Sequence, residues 1–127
     1  MAKSYYLDNA VLQAVLAAVQ YTSPSAVYVA LYTAAPGPTG GGTEVAGGSY
    51  QRTACTFGAP TNGALTNSGA CTFPQASAGW GTITAFGIFD AQTNGNLLYY
   101  GNLTASKTIN SGDQLTFAVS GITVTES

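Results

Sequence analysis

The sequence predicts a mainly β fold: a single antiparallel β-sandwich or jelly-roll-like domain of about eight strands, with one N-terminal α-helix. Three observations carry that expectation. Short runs rich in β-branched, aromatic and aliphatic residues recur from Ala26 to Thr125, with turn signals between them. Within Trp80–Tyr100 two such runs flank a polar segment carrying Asn94-Gly95, a pair suited to the positive φ angles of a hairpin turn. Helical spacing of apolar residues is confined to residues 4–20.

Ser4 is placed to cap that helix, and Asp8 falls in its first turns, where a carboxylate suits the macrodipole. Leu7, Val11, Ala14, Val15 and Ala18 share one face, and Leu12, Leu16 and Val19 widen it. A helix apolar over most of its circumference calls for cover by a sheet or by a neighbouring subunit. It should end near Gln20, because Ser23-Pro24 forces an extended exit.

The β region is expected over residues 26–125. Ala26–Thr33 alternates, with Val27, Val29 and Leu31 on one side and Tyr28, Ala30 and Tyr32 on the other. Both sides are apolar or aromatic, so both are expected to be covered. Ala34–Gly48 holds Pro36, Pro38 and Gly40-Gly41-Gly42 and reads as an exposed loop. Ser49–Phe57 reads as a strand, Gly58–Gly69 as a turn-rich excursion with a short strand at Ala64–Thr66, and Ala70–Phe73 as a strand stopped by Pro74. After the central hairpin, strands are expected at Leu103–Ile109, Asp113–Val119 and Ile122–Thr125.

A chain of 127 residues is expected to form one domain over 1–127 and to bury roughly 65% of its unfolded surface. Charge is sparse: Lys3, Arg52 and Lys107 oppose Asp8, Glu44, Asp90, Asp113 and Glu126. Charged residues make up 6% of the chain, against about 25% in ordinary soluble domains. Gly, Ser, Thr and Asn must then supply the polar surface, which suits an extracellular or particle-bound β protein better than a cytosolic enzyme. Three cations cannot make the electropositive footprint of a nucleic-acid-binding protein. No apolar run reaches the ~18–20 residues of a membrane-spanning helix. Residues 1–20 read as a helix rather than a signal peptide, because Asp8, Asn9 and Gln13 interrupt the apolar core.

Catalytic chemistry has little to work with. Histidine is absent, so a hydrolase triad lacks its usual base. The carboxylates are scattered along the chain, whereas a glycosidase needs two within ~5–10 Å. Asp90 and Asp113 suit turn and strand-end roles. Gly40-Gly41-Gly42 is followed by no Gly-Lys-Ser/Thr, and no calcium-loop spacing is present. No catalytic, cofactor-binding or metal-ligating residue is expected, and no cofactor. Trp80, Phe86 and the tyrosines offer a sugar-stacking patch as the alternative to core packing. Cys55 and Cys71, the two cysteines, both fall in expected strands. They form either a disulfide or a pair of small buried hydrophobes. A disulfide would close a loop of about 15 residues, worth about 3 kcal/mol in chain entropy.

Several stretches together resemble a known family. They are Ser4–Asn9, Val27–Gly37, Gly48–Arg52, Cys71–Ala76, Trp80–Asp90 and Leu103–Asp113, in order and spanning nearly the whole chain. The resemblance is to small structural proteins of tailed bacteriophages, usually labelled tail-fibre or minor tail proteins. It implies a non-enzymatic virion protein, assembled in the host cytoplasm and exposed on the particle. Tail-associated and capsid-decorating positions are both compatible with it. Its implied partners are other phage structural proteins, of the tail or the major capsid, and further copies of itself in a symmetric homo-oligomer such as a trimer. Neither nucleic acid nor membrane is among them. The family pattern carries apolar residues where this chain has Cys55 and Cys71. Two other classes stay open: a carbohydrate-binding host-recognition module, and a secreted bacterial filament or adhesin subunit whose residues 1–20 are processed.

Overall fold

A computed structural model describes residues 2–125. Glu126, expected at the tail, lies outside them. Among the described residues the protein is mainly β, with one α-helix and ten strands in antiparallel sheets. In chain order these are β1 (Ala2–Lys3), α1 (Tyr5–Leu16), β2 (Val27–Ala34), β3 (Thr43–Glu44), β4 (Thr53–Cys55) and β5 (Ala64–Thr66). Then follow β6 (Cys71–Thr72), β7 (Gly81–Phe89), β8 (Leu97–Ile109), β9 (Thr116–Phe117) and β10 (Thr123–Thr125).

A six-stranded sheet runs β1-β8-β7-β2-β3, with β4 also paired to β2. Two small sheets, β10-β5 and β6-β9, lie over one of its faces. The core between these layers joins Val29, Leu31, Ile83, Phe86 and Ile88 of the large sheet to Cys71, Phe73, Leu115, Ile122 and Val124 of the covering layer. That layering is sandwich-like. The other face of the large sheet holds a smaller cluster of Ala30, Tyr32, Ala85, Phe89 and Leu97. The alternation along β2 therefore sorts its side chains as the sequence predicts: Val29 and Leu31 to one side, Ala30 and Tyr32 to the other.

The central hairpin is present, and its strands are longer than expected. Phe89 pairs with Leu97, and Asn94 and Gly95 take φ of 56° and 73°. The connection spans 90–96 rather than two residues, because Asp90 closes it from within. Its Oδ1 accepts from the Asn96 amide at 2.7 Å and its Oδ2 from Asn96 Nδ2 at 3.0 Å. Leu103–Ile109, expected as a separate strand, is the far half of β8. Between the pairs Ile83↔Lys107 and Ala85↔Asn102 the register shifts, and residues 103–106 bulge out of the ladder. Across that irregularity the inward face of β7 changes from odd positions (Ile83) to even ones (Phe86, Ile88).

Other boundaries contract. The Ser49–Phe57 run forms a strand only at β4, since Ser49 sits at φ 66°. Asp113–Val119 keeps only β9. Ala34–Gly48 is not wholly an exposed loop. Gly40, Gly41 and Gly42 all take positive φ and turn the chain back, so that Glu44 pairs with Tyr32 and Val45 reaches the core. Among the described residues, the helix stops at Leu16 instead of Gln20.

Candidate functional site

Among the described residues the acidic side chains do not converge. Asp8 sits 3.5 Å from the Lys3 ammonium. Asp90 is committed to its turn, and Asp113 Oδ2 accepts from the Asn110 amide at 2.9 Å. Glu44 is held by Arg52 through two contacts of 2.9 Å, Nε to Oε2 and Nη2 to Oε1. Tyr50 donates to Glu44 Oε2 at 2.7 Å while accepting from the Leu31 amide at 3.0 Å. Arg52 Nη1 donates to the carbonyls of Asn94 at 2.7 Å and Ala91 at 3.2 Å. Its guanidinium lies 3.6 Å from the centre of the Phe89 ring. This network ties β3, β4's approach and the 90–96 turn to the second face of the large sheet. Burial, and then the hydrogen bond to Glu44, push the Tyr50 phenol well above its ordinary value. Burial and the Glu44 charge push Tyr32 up to about 12. These groups hold one another, and none faces an open cleft with a free base. Among the described residues no group of three or more His, Cys, Asp or Glu is arranged to hold a metal ion.

Trp80, offered by the sequence as a sugar-stacking ring, is buried in the core and donates from Nε1 to the Gly48 carbonyl at 2.8 Å. Tyr50 packs edge-on against it at 5.4 Å and stacks with Phe73 at 6.4 Å. Phe86 meets Phe117 in the same core. Cys55 and Cys71 are both buried, with their thiols unbridged. They face one another across β4 and β6, and the Cys71 thiol is pushed up by its hydrogen bond to Cys55 and by burial.

The unusual surface is α1. Ser4 caps it, accepting from the Leu7 amide at 3.2 Å, donating to the Leu97 carbonyl and passing its own amide to Leu98 at 2.9 Å. The helix is thereby fixed beside β8, with Leu7 buried. The opposite side has no cover among the described residues. Tyr5, Leu12, Val15 and Leu16 are 57%, 56%, 72% and 78% exposed. At about 100° per residue, Tyr5, Leu12 and Leu16 fall within roughly 40° of one line, on the side away from Leu7. The usual amphipathic order is reversed, with an apolar stripe turned to solvent. The sequence signalled this by apolar residues over most of the helix circumference; which side would stay bare needed the fold.

Just beyond Leu16 the backbone is strained. Ala18 takes φ 57°, a left-handed conformation that costs a non-glycine residue about 1 kcal/mol. The amides of Ala17 and Val19 both turn back on the Gln13 carbonyl, at 3.2 and 3.0 Å. Val19 is 50% exposed. Nothing in Ala17-Ala18-Val19-Gln20 reads as a stop signal, which is why the sequence places the helix end later.

Compared with known proteins, residues 2–125 match the model of the family Gp80, described as Podophage GP4 fiber I protein gp80. The chain belongs to that family. No curated protein matches it. Membership makes this Gp80-family chain a phage fibre structural protein by descent, a component of a virion that associates with other phage structural proteins. One shallow cleft, about 440 Å³, lies between the 103–106 bulge and the 115–123 segment and is lined by Phe86, Leu115 and Phe117. No helix of the described residues is long and apolar enough to cross a membrane.

Proposed function

We propose that this protein is a non-enzymatic part of the phage fibre apparatus, exposed on the particle and held there by protein–protein contact through the outward face of α1. The observation that carries this is the stripe of Tyr5, Leu12, Val15 and Leu16, anchored rigidly by Ser4 and left in water. A monomer has no use for such a face; a subunit does. The family's fibre description supports a tail-associated position over a capsid-decorating one. A carbohydrate-binding role loses its best residue, since Trp80 is buried. Locating the chain in an electron-microscopy map of purified particles tests the reading. Density at the tail, at a copy number small against the capsid protein's, is the expected result. Absence of the chain from purified particles would overturn it.

The same reading keeps Cys55 and Cys71 as a candidate disulfide of the finished particle. Two apposed thiols would pass two hydrogens to an oxidant such as oxygen or glutathione disulfide once outside the reducing host cell. Thiol counting on denatured particles, without reductant, is expected to find neither thiol free. Two free thiols would remove the disulfide and leave the pair as core.

A further inference from the structure

We infer that α1 pairs with α1 of a second copy of this chain, and that pairing rewinds residues 17–20 into the helix. The inference rests on the assembly reading above and names the partner of that face. Two independent features lead to it. The first is the stripe. Continued through Gln20, the helix would place Val19 in line with Tyr5 and Leu12 at successive spacings of seven. Val15 and Leu16 fill the intervening turn. That is the seam of a two-helix contact, and the folded copy leaves its last position stranded on a non-helical turn.

The second feature is the strain at that turn. Ala-Ala-Val-Gln carries no glycine or proline, yet Ala18 is forced to φ 57° to end the helix. Alanine is the best helix former and a poor left-handed cap. The isolated copy therefore holds these residues out of helix against their own preference, and a partner that covers Val19 removes the reason to do so. Tyr21–Ser25, which has no regular structure, gives the chain room to follow.

A second copy fits this face better than a foreign protein of polar or charged surface. At about 100° per residue Asp8 falls between Val15 and Leu12 on this face, and its charge is matched by Lys3 at 3.5 Å. With that charge matched, the face is close to neutral and selects no charged partner. Area points the same way. Scaling the exposures of Tyr5, Leu12, Val15, Leu16 and Val19 gives at most roughly 550 Å² per copy. Two copies then bury up to about 1,100 Å², the size of a weak interface just under the ~1,200 Å² at which stable ones begin.

Sedimentation velocity and far-ultraviolet circular dichroism on the whole chain, up to roughly 100 μM, test this together. Self-association accompanied by a rise in helical signal is expected. Leu12→Asp, at an exposed position, should fold as the wild type does and stay monomeric. Ala18→Gly relaxes the left-handed turn and penalises the rewound helix, so it should fold at least as stably while associating about tenfold more weakly per helix. A wild-type chain monomeric throughout would overturn the pairing, as would a Leu12→Asp variant that still associates. Association without added helix, or an Ala18→Gly variant that associates as tightly as wild type, would overturn the rewinding. A chain monomeric in solution yet located in the particle defeats this inference while leaving the assembly reading in place.

Discussion

Asn67 shows how much one side chain carries here. It is wholly buried, and its amide donates to the carbonyls of Gly69 at 2.8 Å and Ala118 at 2.9 Å while its Oδ1 accepts from the Ile122 amide at 2.8 Å. Three backbone groups of the covering layer depend on it. Asn67→Ala would strand them and should cost about 3 kcal/mol, read as a lower urea midpoint. The sequence marked Asn67-Ser68-Gly69 only as a turn, because local signals cannot show that the side chain points inward to a segment some fifty residues later. Tyr50 makes a second residue-scale prediction. Its phenol is held protonated above the ordinary value of about 10, so the unfolded chain gives up that proton first as pH rises. Stability should be full below about pH 10 and fall above it, by at most about 1.4 kcal/mol per pH unit from this group. Urea midpoints across that range would show the fall, and Tyr50→Phe should reduce it to the part that the raised Tyr32 contributes. Arg52→Lys keeps the charge but loses the two-pronged grip on Glu44 and the stacking over Phe89, and should cost about 2 kcal/mol in the same assay.

At the scale of elements, α1 is attached chiefly by its first turn. Ser4→Ala removes the cap and orphans a buried carbonyl, for a loss of about 1–2 kcal/mol. Hydrogen exchange should show that loss as faster exchange across residues 5–16, with β7 and β2 unchanged. Elements legible in the sequence were those whose periodicity and burial agree. Ala26–Thr33 alternates and is buried on both faces, and β7 carries an apolar run into the core. What escaped was pairing set from outside the segment. β3 exists because three glycines fold Ala34–Gly48 back onto β2. Gly101-Asn102 looks like a break, yet β8 runs through it because β7 supplies a ladder alongside. The helix end escaped for the opposite reason: propensity favours continuing through Gln20, and in the single copy the fold overrules it. Of the candidate site, the sequence showed the apolar excess of α1, while its orientation came only from the anchoring of Ser4 and Leu7.

At the scale of the whole molecule, eight charges serve 127 residues, and two of them are spent in the Glu44–Arg52 clamp. The side chains of that pair are only 25% and 11% exposed, Glu44 and Arg52 respectively. Mobile ions screen exposed charges beyond about 8–10 Å in ordinary buffers, and sheltered pairs much less. The unfolding midpoint should therefore move little, by under about 0.5 kcal/mol, between about 0.05 M and about 1 M sodium chloride. A large drop at high salt would show that exposed ion pairs matter more than the clamp. The clamp's shelter also bears on where such a protein can operate. A structural part cannot be rebuilt each time the ionic strength around it changes. With its main electrostatic tie sheltered and few other charges to lose, this chain should keep its fold across such changes.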